Sequence, residues 1–196
     1  MRVSSATNSR TTIATIVPRF PSQHSLFTGI ASDASGIGNI ALTGILNSFV
    51  FDYVVRQKCA GVNVTASVLN ESPCPTKSRI EGLLASRHWV ASIAKLVWVH
   101  PIFSPDWLKL AAVMPTEFVA KNFRRRALRY AEYLRLRCVI DAVAASYFGL
   151  DEPALRWILR ECAYPREILD DASSRLGLAA HAFWRVDRHL RLEKLV

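Results

Sequence analysis

Arg56-Gln57-Lys58, followed by Asn63 and Thr65 across a glycine at Gly61, brings hydrogen-bond donors and positive charge to one corner of the chain. Arginine and lysine pair with phosphate or guanine, and glutamine and asparagine with adenine, so this corner suits a nucleic-acid contact. An ordinary polar helix end and turn has the same composition, and both readings stay open. A second basic group lies between residues 121 and 137, with seven basic residues against one acid, Glu132, so that +6 of the chain's +9 formal charge falls there. On a helix, Arg124 and Arg135 share one face, Arg125 and Arg129 a second, and Arg126 and Arg137 a third. They ring the helix, whereas a phosphate-tracking surface would use a single face. Ion pairing with Glu132 or Asp141 is the competing use for them.

Catalytic groupings are sparse. His24, His88, His100, His181 and His189 have no neighbours at metal or triad spacing. Cys59, Cys74, Cys138 and Cys162 form no CxxC, which argues against structural zinc and for reduced thiols. Gly36-Ile37-Gly38 has no strand before it, and no P-loop is present. Glu117 and Lys121, after Pro105-Asp106, are four apart near a helix start, whereas a metal-dependent nuclease wants them two apart on a strand. No catalytic, cofactor-binding or metal-binding residue is assigned.

The elements that position these residues follow from hydrophobic spacing. With 51% hydrophobic and 21% charged residues over 196, the chain has the composition of a folded protein. A pI near 9.8 favours anionic partners. No run reaches the roughly eighteen apolar residues of a membrane span, and no apolar targeting core follows Met1, so no membrane partner and a cytoplasmic location are expected. The β-branched run Thr11 to Val17, bounded by Arg10 and Pro18, predicts a strand buried on both faces, with a pairing partner upstream. Residues 18 to 38 read as a loop.

From Asn39 to Lys58, apolar pairs recur at i+4 from Ala41/Leu42 to Tyr53/Val54, predicting one helix capped by Asn39 with Leu46, Phe49, Phe51 and Tyr53 in the core. Asp52 and Arg56 sit at i, i+4 on it and add modest support. Val62 to Leu69 predicts a second strand. Further helices are expected over 76–98, over 105–113 capped by Ser104, over 118–148 ended by Gly149, and from Asp151 to about Cys162. The fold class is therefore α+β, helix-rich with a small sheet in the N-terminal half. Residues 1–115 form a mixed recognition-type segment and 116–196 a helical C-terminal extension.

Three stretches in order resemble a known family. They are Ala6-Thr7-Asn8-Ser9-Arg10-Thr11 with its strand to Pro18; Leu46-Asn47-Ser48, Phe51-Asp52, Arg56-Gln57-Lys58, Gly61, Asn63 and Pro73-x-Pro75; and Arg135-x-Arg137, Asp141-Ala142, Tyr147-x-Gly149-Leu150 with Leu155 and Ile158-Leu159. Together they resemble the C-terminal, target-recognition side of type IIG-like and related type I single-polypeptide restriction–modification enzymes. These bacterial phage-defence proteins are adenine-specific DNA methyltransferases. The chain departs from the family at Val62-Asn63-Val64-Thr65 and at Phe148. It also lacks the methyltransferase core, with its S-adenosylmethionine loop and its Asn/Asp-Pro-Pro-aromatic motif.

The resemblance implies a segment that binds double-stranded DNA and is inactive alone, with no cofactor of its own. It carries DNA contact to Asn8, Arg10, Arg56, Gln57, Lys58 and Asn63. The alternatives are a helical interaction module that docks on a separate methyltransferase subunit, or a truncated remnant.

Overall fold

The computed structural model describes residues 10–18, 21, 23, 25–29, 36–59, 63–76, 78–79, 87–113 and 130–161. They form helices joined by short irregular links: α1 Ile37–Leu46, α2 Phe49–Lys58, α3 Ala66–Asn70, α4 Arg87–Val97, a 3-10 turn Pro101–Phe103, α5 Ser104–Val113, α6 Tyr130–Tyr147 and α7 Glu152–Glu161. No strand and no sheet occurs among the described residues, which corrects the α+β expectation to an all-helical architecture there.

Neither expected strand forms: side chains take up polar groups of the first, and the second turns into α3. Residues 11–18 lie along the helices as a strap. From Thr12 onward their burial alternates from residue to residue, the signature of an extended chain. The strap is not buried on both faces, since Ile13 and Val17 are 55% and 60% exposed. In the second stretch, Thr65 caps α3 by accepting from the Val68 amide at 3.3 Å, and Ser72 Oγ donates to the Val68 carbonyl at 2.6 Å. Threonine and serine here supply local caps, which outweighs their β-propensity. Asn63 alone forms an isolated bridge.

The expected single helix from Asn39 to Lys58 is two helices meeting at 59°. α1 begins after Gly36, whose φ of 71° suits glycine, and not at an Asn39 cap. It ends at Asn47, and Ser48 restarts the chain as the N-cap of α2, its hydroxyl accepting from the Phe51 amide at 3.2 Å. Only two residues separate the helices, so the apolar pairs keep their spacing through the bend. That is why the sequence pattern looks continuous.

α4 lies between α1 and α6, and α7 packs on α2. Trp89 of α4 is fully buried, with its ring edge-to-face on Tyr147 at 5.0 Å and its Nε1 donating to the Ile140 carbonyl at 3.4 Å. Phe51, Val55, Ile40, Ile45 and Ile93 close around it. A smaller cluster of Phe49, Val50, Ala145 and Ile158 fixes α7. The helical C-terminal extension thus shares both cores with the N-terminal helices. α6 ends in the expected way: Gly149 has φ 72°, its amide donates to Ser146, and the Leu150 amide reaches back to Ala145. Asp151 then caps α7 by accepting from the Ala154 amide at 2.9 Å.

Ser104 is not the cap expected for α5. It is the first residue of that helix, and its hydroxyl donates to the Pro101 carbonyl at 2.6 Å. His100 Nδ1 caps the preceding turn instead, accepting from the Ile102 amide at 3.2 Å. Of the helix expected over 76–98, Ser78, Arg79 and Arg87–Val97 are helical and 80–86 lie outside the described residues. The same holds for the part of the 118–148 helix before Tyr130. Among the described residues no single helix is long and apolar enough to cross a membrane, although α1 and α2 as a bent pair reach the length and composition.

Gly44 of α1 packs directly against Ile93 and Trp89 of α4. A Cβ there would fall inside contact distance of the Ile93 side chain and 3.0 Å from Trp89 Cζ2. Gly44→Ala should therefore destabilise the protein by about 1–3 kcal/mol despite the better helix propensity of alanine. A urea unfolding curve measures this, and an unchanged or raised midpoint would contradict the close packing.

Candidate functional site

The bend between α1 and α2 leaves backbone groups that need partners, and Asn47, Ser48 and Asp141 provide them, while Asp52 holds the strap. Asn47 faces the strap and treats Ala14 as a strand would: its Oδ1 accepts from the Ala14 amide at 3.1 Å, and its Nδ2 donates to the Ala14 carbonyl at 2.7 Å. The same Nδ2 also donates to the Thr43 carbonyl at 2.9 Å, which ties the strap to the last turn of α1. Ser48 closes the bend from the other side, its Oγ donating to the Ile45 carbonyl at 2.7 Å.

Asp52, on the first turn of α2, is 1% exposed. Its Oδ1 accepts from the Thr11 amide at 2.7 Å, the Thr12 amide at 2.8 Å and the Thr12 hydroxyl at 3.1 Å. Its Oδ2 holds the Arg56 guanidinium at 2.8 Å, with that side chain only 4% exposed. Asp141, from α6, places Oδ1 2.7 Å from the Phe49 amide at the N-terminus of α2. An anion there satisfies a first-turn amide and complements the helix dipole. Above the same residue, the Arg10 guanidinium lies 3.7 Å from the centre of the Phe49 ring. The result is a buried set of two carboxylates and two guanidinium groups.

The candidate DNA contacts separate into two groups. Arg10 and Arg56 are buried within this network. Gln57 and Lys58, in the last turn of α2, and Asn63 after it are exposed. Lys58 Nζ donates to the Glu71 carbonyl at 2.5 Å, and the Asn63 carbonyl accepts from Cys59 Sγ at 3.8 Å. Asn8 lies outside the described residues, as do Arg124, Arg125, Arg126 and Arg129. Arg135 is exposed, and Arg137 sits 5.4 Å from the Tyr133 ring. Glu132 pairs with Lys95 of α4 at 2.8 Å.

Asn47 and Asp141 were not among the candidates, and Asp52 was read only as a helix-surface partner of Arg56. The i, i+4 spacing gives the Asp52–Arg56 pair but not its burial. The reach of Asn47 across 33 residues and of Asp141 across 92 leaves no local signal.

Beside the network, the strap, α1, α4 and α6 enclose a half-open cavity of about 280 Å³. Gly44, Ile93, Leu96, Val97 and Ile140 make its apolar part, and Arg10, Thr12, Asn47, Tyr133, Arg137 and Asp141 its polar part. No group of three or more His, Cys, Asp or Glu among the described residues could hold a metal ion. Cys59, Cys74 and Cys138 are thiols, and partial burial pushes the Cys74 thiol above its usual range. This geometry holds structure in place. Its exposed donors are Gln57, Lys58 and Asn63, and among the described residues no nucleophile–base hydrogen bond occurs in it.

Removing the Asp52 carboxylate would strand the buried Arg56 charge and the Thr11 and Thr12 amides together. Asp52→Ala should cost about 3–5 kcal/mol, and Asp52→Asn less, because it keeps an acceptor for the strap. Guanidinium chloride unfolding of the three proteins gives the ranking, and equal stability of Asp52→Ala with the parent would rule out the clamp. No family model matches the chain, and neither does any curated protein or solved structure.

Proposed function

We propose that this chain is a DNA-binding, target-recognition-side segment of an adenine-specific restriction–modification methyltransferase, without catalytic activity alone. One observation carries the reading. The three stretches that resemble the family, far apart in sequence, contribute Arg10 to Thr12, Asn47 to Arg56, and Asp141 to a single buried network. Shared packing of this kind is a reason for those motifs to occur together and in order. In this reading the DNA contact is left to Gln57, Lys58 and Asn63, and S-adenosylmethionine is bound by the methyltransferase core of the full-length enzyme. A cytoplasmic location goes with it, since the substrate is DNA.

The burial of Arg10 and Arg56 favours a second reading, a helical interaction module that docks on a separate methyltransferase subunit. Two of the strongest candidate phosphate ligands are unavailable at the surface, which weakens the case for extensive DNA contact. Co-purification with such a subunit, with no DNA affinity in the isolated chain, supports this reading over the first.

Titration of a labelled DNA duplex at several salt concentrations separates the two. The DNA-binding reading expects affinity that falls with salt. Lys58→Ala should lower it at all sequences and reduce the slope of log affinity against log salt by about 1. Gln57→Ala should weaken it in a sequence-dependent way. Binding no tighter than that of an unrelated protein of equal charge would sink the DNA-binding reading. Methyl transfer from labelled S-adenosylmethionine by this chain alone would overturn both.

A further inference from the structure

None of Gln57, Lys58 and Asn63 lines the half-open cavity between the strap, α1, α4 and α6. Close-packed interiors leave few voids larger than a water molecule, and this one, at about 280 Å³, holds far more. An apolar cavity of about 150 Å³ takes one benzene ring, so the volume here suits a two-ring molecule of about ten non-hydrogen atoms. The open side supplies an entry path.

The lining selects the kind of molecule. Gly44, Ile93, Leu96, Val97 and Ile140 make an apolar floor, which calls for a mostly hydrocarbon body. Three charged residues, Arg10, Arg137 and Asp141, complete the wall, and each is engaged inside the protein. Arg10 lies on the Phe49 ring, and Asp141 Oδ1 accepts from the Phe49 amide. Arg137 Nη1 reaches the Tyr133 hydroxyl at 3.5 Å, with its guanidinium over the same ring. A charged ligand would have to compete with these partners, whereas a neutral one leaves them in place. A guanidinium group attracts the face of an aromatic ring even while its N–H groups are bonded elsewhere, which favours an aromatic body over an aliphatic one. Tyr133 supplies the polar handle. Its hydroxyl accepts from Arg137, and among the described residues its own hydrogen is donated to no acceptor. We infer that this cavity binds a neutral, planar, two-ring heteroaromatic molecule whose single hydrogen-bond acceptor meets the Tyr133 hydroxyl.

The probe is quinoline, with naphthalene as its counterpart of the same shape without the acceptor nitrogen. The readout is the proton–carbon spectrum of the full chain labelled at isoleucine δ1-methyl groups, titrated at neutral pH, where quinoline is uncharged. Ile93 and Ile140 line the cavity, while Ile158 belongs to the second core and serves as the internal control. Saturable shifts at Ile93 and Ile140 but not at Ile158 are expected, with a dissociation constant on the order of 1 mM or below. Tyr133→Phe should weaken quinoline about tenfold, the scale of one hydrogen bond, and leave naphthalene unchanged. A purely structural role for Tyr133 would move both probes together. Val97→Phe fills the space and should abolish both titrations, with the Ile158 methyl and a thermal melt reporting that the variant is folded. The Tyr133→Phe comparison stands even where Val97→Phe is destabilised. Quinoline shifts that do not saturate, that reach Ile158 equally, or that survive in a folded Val97→Phe variant overturn the inference. So does equal loss of both probes, or of neither, in Tyr133→Phe. Tighter binding of 2-naphthoate than of quinoline overturns the neutral class, and displacement of quinoline by duplex DNA overturns the small-molecule site in favour of a nucleic-acid surface.

Discussion

The Asp52 carboxylate is the interaction on which the rest of the described structure depends. A carboxylate this deeply buried is tolerated only where its lone pairs are filled and its charge is met. Here three donors from the strap and one guanidinium from its own helix do both. The requirement runs in both directions. Arg56 can be buried because Asp52 is there, and the strap is extended because its first two amides converge on one oxygen. Asp141 works at a second end of the network, where one carboxylate oxygen from α6 accepts from the first-turn Phe49 amide of α2. Two helices far apart in sequence thereby become a single scaffold.

Apolar packing supplies the remaining organisation. Trp89, between α1 and α6, sets the spacing of three helices, and the absence of a side chain at Gly44 permits it. The Trp98, Phe103 and Trp107 rings extend this core towards α5. Trp98 stacks on Phe103 at 6.1 Å and meets Trp107 edge-on at 5.6 Å, while Trp107 Nε1 donates to the Trp98 carbonyl at 3.1 Å. The donors available for binding lie away from both cores, in the last turn of α2 and just after it.

What the sequence disclosed depended on how local the cause was. The stop at Gly149 and the start at Asp151 were legible because glycine with positive φ and an acidic cap act within a few residues. The apolar stripe along residues 39–58 was legible too, and Phe49 and Phe51 are in the core as it required. The bend was not, because Ser48 acts as a cap only once Asn47 and Asp141 have taken the neighbouring polar groups. The β-branched runs misled for a related reason. Their propensity reflects a fit to a half-buried pleated surface, and here a helix bend provides that surface for one run and a local cap redirects the other. Arg56 was read as available for DNA because nothing in its spacing shows that Asp52 and Arg56 face inward together.

The amide of Asn47 has a consequence for the chemical lifetime of the protein. It is the one group that both donates to and accepts from Ala14, and a serine follows it in a tight bend. Hydrolysis of that amide to a carboxylate would replace a donor with an anion facing the Thr43 and Ala14 carbonyl oxygens, so attraction would become repulsion at both. The same bonds that use the amide also hold it away from its own backbone, where such hydrolysis begins. The strap therefore protects the residue that fastens it, and a chain in which the strap has lifted would age at Asn47 faster than one in which it is closed.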